Sequence, residues 1–423
     1  MFEDALKLAN EWWLTGNISK EKAKPYHRAI FTKLKELLRY RQIVVLTGLR
    51  RVGKSTLMFQ LINDLLNKVD KRHILYFNFD EKAVEPLEVL KLYGKITGVD
   101  WKKEKCYIFF DEIQKIKDWS SKIKFLYDNL PNLKFFISGS ASLMIEKEAI
   151  SNLAGRYFLQ EIEPLSIKEF AELYLGKKID RLELYRDELE RLFPHWMKRP
   201  FPEIVRWKDE RKVYEYVREM IIDRAIKIDL PSLFKVRMPL LLTLTEIFFS
   251  DPGMTLNLTS LAKDLKVNKL VLEEHIYFLE FAKIIKLIKN FRPSIRAESR
   301  KMKKVYPSHI ALSFPYYPSL DKGKIFESLI ASLDIKNYWR NGFREIDFVK
   351  KVQQKLLPIE VKAKDIITKE DVKNLIYFMK KYSVSNGIII YTGKSKEEKI
   401  NSLKIKFINI IDFLFHADMF MNY

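Results

Sequence analysis

Gly48-Leu49-Arg50-Arg51-Val52-Gly53-Lys54-Ser55 has the form G-x-x-x-x-G-K-[ST]. That spacing lets backbone N–H groups converge on phosphate oxygens at a helix N-terminus. In such a P-loop, Lys54 reaches the β- and γ-phosphates of ATP and Ser55 holds Mg2+. Gly48, Val52, Gly53 and Thr56 complete the cradle, while Arg50 and Arg51 either touch phosphate or face solvent. Farther on, the apolar run Cys106-Tyr107-Ile108-Phe109-Phe110 ends in Asp111-Glu112. Paired acids after a strand suit Mg2+ chemistry: Asp111 orients the metal's shell, and Glu112 polarises the attacking water. Phe135-Phe136-Ile137-Ser138-Gly139-Ser140 is a further strand ending in hydroxyls. Ser138 or Ser140 could read the γ-phosphate or the lytic water, or the segment is a plain Ser/Gly turn. Arg156 is a candidate arginine finger, supplied in trans; its other reading is a surface ion pair.

A second constellation lies near the C-terminus. Asp347 sits in the alternating run Glu345-Ile346-Asp347-Phe348-Val349, and Glu360-Val361-Lys362 follows in another. Alternation puts Glu360 and Lys362 on one strand face, beside Asp347 if the two strands pair. This is the D…E-x-K order of a restriction-endonuclease-like core. Two carboxylates there can bind a second Mg2+ or Mn2+, with Lys362 steering the water. Glu327, on a preceding helix, could complete the metal shell. The bland reading is two solvated strand faces in a chain rich in Lys and Glu.

These residues need elements to hold them. Strands are expected at 43–47, 74–79, 106–110 and 134–138, alternating with helices as in a parallel α/β sheet. The expected division is a helical segment 1–41, a P-loop core 42–160, a helical region 161–235, a segment 236–310 and an α/β module 311–423. Ser166 heads a capped helix in the second of these helical stretches. Within 236–310, helices at Leu240–Phe249, Leu258–Leu265 and Asn268–Phe281 precede the strand-like Ile284–Ile288. That order is a winged helix-turn-helix, with 292–320 as linker or wing.

At 423 residues the chain exceeds one ordinary core. Its 76 Lys and Arg against 55 Asp and Glu give a net charge of +21, which favours a polyanionic partner, DNA first. A solvated, lysine-rich surface is the alternative. No run of 18 uncharged apolar residues exists, so no membrane span is expected. Met1-Phe2-Glu3-Asp4-Ala5 shows neither a basic nor an apolar leader, and Cys106 is the sole cysteine. Both features suit a reducing cytoplasm, with Cys106 as core filler.

The chain resembles the prokaryotic AAA+-like P-loop ATPases, abundant in archaea, that carry a C-terminal domain related to PD-(D/E)XK nucleases. The resemblance rests on Thr47–Thr56, Phe110-Asp111-Glu112-Ile113-Gln114-Lys115, Ser138-Gly139-Ser140, Leu153–Arg156 and Pro164-Leu165-Ser166. It extends to Phe326-Glu327, Glu345–Phe348 and Ile359–Lys362. It implies ATP hydrolysis, a helical lid over 161–235, a winged helix over 236–310 and a nuclease-like module over 311–423. One departure is Lys304-Val305-Tyr306-Pro307-Ser308-His309, which lacks the aspartate that members often show after the tyrosine. The expectation is a Mg2+-dependent ATPase whose nucleotide state gates DNA engagement. Two alternatives stay open: a metal-dependent nuclease with a regulatory ATPase, and a switch with an inactive nuclease fold. A trans arginine finger would further require a homo-oligomer.

Overall fold

A computed structural model describes residues 2–80, 84–139, 153–299, 301–352, 355–400 and 402–421. The chain divides into two compact units, Met1–Pro164 and Leu165–Tyr423.

The first unit is built on strands β1 (Ile43–Thr47), β2 (Ile74–Asn78), β3 (Cys106–Asp111), β4 (Leu133–Ser138) and β5 (Tyr157–Glu161). They form one parallel sheet in the order β2-β3-β4-β1-β5. β1, β3 and β4 are buried along their whole lengths, which is why they read as unbroken apolar runs. The helix Lys54–Leu66 follows the P-loop directly and buries Leu57, Met58, Leu61, Ile62 and Leu65 at helical spacing. β4 separates the P-loop strand β1 from the acidic strand β3, so the ends of three neighbouring strands face one place. Cys106 is buried in the sheet, and burial pushes its thiol up to about 11, which leaves it un-ionised core.

The N-terminal segment covers the open edge of β2. Asn10 Nδ2 donates to Tyr76 O at 2.8 Å, and Tyr76 N donates to Asn10 Oδ1 at 2.7 Å. The Trp12 and Trp13 indoles both donate to Ile74 O. Side chains thus supply the pairing that another strand would give an edge.

The second unit begins with helices Ile167–Leu175 and Arg186–Lys198. Ser166 and Glu169 form the reciprocal capping box at the first of them. Phe170, Leu189, Phe193 and Trp196 from these helices share a core with Phe348, Ile359, Ile390 and Ile408. The helical stretch therefore packs as part of the C-terminal unit. Helices Met238–Ser250, Leu258–Asp264 and Lys269–Phe281 come next, with Asn257 and Asn268 as side-chain caps.

Nine strands among the described residues then build one mixed sheet. They are β6 (Met254–Thr255), β7 (Ile285–Asn290), β8 (Lys304–Pro307), β9 (Asn337–Asn341), β10 (Arg344–Val352), β11 (Lys355–Val361), β12 (Asn386–Tyr391), β13 (Lys396–Ile400) and β14 (Leu403–Asn409). Their order is β13-β14-β12-β11-β10-β9-β7-β8-β6. The stretch 292–320 contains β8, which pairs with both β6 and β7. β7 also pairs with β9 through Lys289↔Asn337, so the sheet runs unbroken across position 310. Among the described residues no helix is long and apolar enough to cross a membrane.

Candidate nucleotide site and a second acidic cluster

The P-loop connects β1 to the helix Lys54–Leu66 through backbone conformations that side chains resist. Gly48 has φ +133, and a Cβ there would lie 2.2 Å from Ile162 O, so only glycine fits. Gly53 has φ +94 and is the N-cap, with no side chain capping the first helical N–H groups. Those donors and the helix dipole suit phosphate oxygens. Arg51 also sits in the left-handed region at φ 65 and is exposed. Arg28 pins the loop: its Nη1 donates to Val52 O at 3.0 Å and Glu163 O at 2.8 Å, and its Nη2 to Pro164 O at 3.3 Å. Lys54 is buried, and its ammonium donates to Gly48 O at 3.2 Å and Leu49 O at 2.9 Å.

Asp111 closes the site from β3. Ser138 Oγ on β4 donates to Asp111 Oδ1, and Tyr76 OH on β2 donates to Asp111 Oδ2 at 2.9 Å. Ser55 also hydrogen-bonds to this carboxylate. Burial and then the neighbouring Glu112 push Asp111 upward, against these three hydroxyls. Such a carboxylate gains from a cation beside it. Glu112 follows at φ 53, a left-handed conformation costly for a non-glycine residue. Gln114 Nε2 donates to Glu112 Oε2 and fixes the carboxylate's direction. At the end of β1, Thr47 Oγ1 is a buried hydroxyl with no hydrogen-bond partner among the described residues.

The structure thus brings together Gly48, Gly53, Lys54, Ser55, Asp111, Glu112 and Ser138, as the sequence suggests. Ser140 lies outside the described residues. The donors around the loop fit a triphosphate, and Ser55 with Asp111 fits Mg2+.

Arg156 is not brought to this site within the chain. It precedes β5 at the start of the sheet, where its carbonyl accepts from Ile43 N. The P-loop follows the other end of β1, about 15 Å away at roughly 3.3 Å per residue. Arg156 pairs with Asp128 at 2.8 Å. Sequence reasoning did not find Arg28, Tyr76 or Asn10. It did single out the Asp-Glu-Ile-Gln motif, whose glutamine now has a task.

In the second unit, β10 and β11 pair antiparallel with Phe348 opposite Ile359, which carries Asp347 opposite Glu360. Against β9, the register of β10 shifts between Ile346 and Val349, the span that holds Asp347 and Phe348. Val361 N donates to Asp347 Oδ2 at 2.8 Å, and Lys362 Nζ donates to Glu360 Oε1 at 2.7 Å. Tyr306 OH donates to Glu327 Oε2 at 2.9 Å. Burial, then the charge of Asp347, pushes Glu327 up to about 7 and Glu360 up to about 8. The cluster joins Asp347, Glu360, Lys362 and Glu327 as the sequence suggests, but it adds Lys304 and Glu345, which the sequence did not suggest. Among the described residues no three His, Cys, Asp or Glu are arranged to hold a metal ion. With lysines already among them, these carboxylates do not fit a second Mg2+ or Mn2+.

Comparison with known proteins bears mainly on the first unit. Residues 40–171 match the family model described as an AAA domain. Residues 189–313 and 322–411 each match a domain of unknown function, DUF8612 and DUF4143. An uncharacterized protein of Methanocaldococcus jannaschii is 27% identical over 93% of this chain and 86% of its own length. An uncharacterized protein of Haemophilus influenzae is 23% identical over 90% of this chain and 97% of its own length. Among solved structures, a Walker-type ATPase of Pyrococcus abyssi aligns with TM-score 0.43 and 16% identity, covering 68% of this chain and 94% of that one. The segment 40–171, which carries the P-loop, is thus similar to an AAA domain.

Proposed function

We propose that this chain is a Mg2+-dependent ATPase whose nucleotide state gates its engagement of DNA. The observation that carries the ATPase reading is the convergence of Lys54, Ser55, Asp111 and Ser138 at the ends of three adjacent strands. Bound Mg2+ would neutralise developing charge on the phosphates from a place beside Ser55 and Asp111. Lys54 would leave the Gly48 and Leu49 carbonyls for phosphate oxygens, an exchange of neutral acceptors for charged ones. Glu112, aimed by Gln114, would take the proton of the attacking water. Arg156, at the far end of the sheet, would serve only in trans, within a homo-oligomer.

The DNA reading rests on the +21 charge and on the three helices followed by the β7 and β8 pair. That arrangement supports a winged helix over 236–310. Asn268 is spent as a cap on Leu270 N, so Lys269 and Lys283 are the better contacts on and after the third helix. The strand pairing at Asp347 and Glu360 supports a nuclease-like fold for 311–423, in a recognition role.

A fluorescence-polarisation titration with duplex and single-stranded DNA tests this reading. Binding is expected at low salt and should weaken by about 10- to 1000-fold between roughly 50 and 200 mM salt, as counterion release requires. Absence of binding at low salt, with and without ATP, would remove DNA from the account.

A further inference from the structure

Four carboxylates of the second unit, those of Glu327, Glu345, Asp347 and Glu360, stand among ammonium groups that the chain itself supplies. Lys304 reaches them from β8. Its side chain is 7% exposed, touches Glu345 Oε1 and lies 3.8 Å from Glu327 Oε2. Lys362 holds Glu360 Oε1 at 2.7 Å. Three further donors reach the cluster: Tyr306 OH reaches Glu327 Oε2, Val361 N reaches Asp347 Oδ2, and Asp347 N lies 3.4 Å from Glu360 Oε2. A divalent cation needs several carboxylate oxygens free to turn toward one point.

We propose that Lys304 is the resident cation of this cluster. Its ammonium, between Glu327 and Glu345, holds the charge position that a divalent ion would otherwise take. The cluster then ties β8 to the helix Lys322–Ala331 and to β10. Breaking one member of a buried, hydrogen-bonded charge set leaves its partners uncompensated, which is costly. An incoming metal would also meet the repulsion of an ammonium with little solvent to retreat into. This inference concerns the second unit alone and does not depend on the ATPase reading.

The test is Mn2+ binding, read by electron paramagnetic resonance of free Mn2+. It uses the full chain carrying Asp111→Asn, which weakens the other metal position. With Lys304 in place, no binding that Asp347→Asn removes is expected up to about 1 mM Mn2+. In Lys304→Met, a new site is expected, at least about tenfold tighter than any in the Lys304 chain, and Asp347→Asn should remove it. Circular dichroism checks the fold of each variant. Asp347-dependent binding with Lys304 present would overturn the proposal, as would a folded Lys304→Met chain with no new site. If Lys304→Met does not fold, the Lys304 chain decides alone: Asp347-dependent binding there overturns the proposal, and its lack sustains it.

Discussion

Replacing Glu112 by glutamine is expected to leave ATP affinity within about threefold and to lower turnover by roughly 100-fold or more. The exchange is nearly isosteric, so the left-handed backbone at φ 53 and the Asp111 side chain beneath it need not move. The Gln114 amide donates to Glu112 Oε2 and can donate equally to an amide oxygen. Only the ability to take a proton is lost. A fluorescent-nucleotide titration beside a phosphate-release assay separates the two effects. Wild-type turnover in Glu112→Gln would remove this residue as the base. Lost affinity would mean that it binds nucleotide or shapes the loop.

Lys54→Ala acts one step earlier. It is expected to weaken ATP binding by more than about 100-fold, since charge-assisted hydrogen bonds to phosphate are worth roughly 1.5–3 kcal/mol each. The loop itself should persist. Gly48 is fixed by its approach to Ile162 O, and Arg28 holds Val52 O independently of Lys54. Calorimetric titration with ATP, after a circular dichroism check, measures the loss. Affinity within about threefold of the unaltered chain would mean that Lys54 does not meet phosphate.

The parts legible in the sequence were those with a local signature. β1 to β4 are buried parallel strands and announce themselves as apolar runs, whereas β5, Tyr157–Glu161, lies at the sheet edge, largely half-buried, and shows no such run. The cap at Ser166 was legible because a capping side chain bonds its own first turn. Period-two alternation likewise placed Asp347 with Glu360, given that their strands pair. The contacts of Asn10 with Tyr76 and of Arg28 with Glu163 join residues 66 and 135 positions apart, and no local pattern encodes them. Lys304 shows the same limit. In sequence it is one lysine among 76 Lys and Arg, and only the sheet order brings β8 near Glu327 and Glu345.

The central claim is that the first unit hydrolyses ATP at the Lys54–Asp111 site. Steady-state phosphate release by the pure chain tests it most directly, with Mg2+ or with chelator, with and without DNA, and with Lys54→Ala as blank. The account predicts turnover that needs both Mg2+ and Lys54 and that changes when DNA is added. Turnover unaltered in Lys54→Ala, or none under any of these conditions, would contradict it.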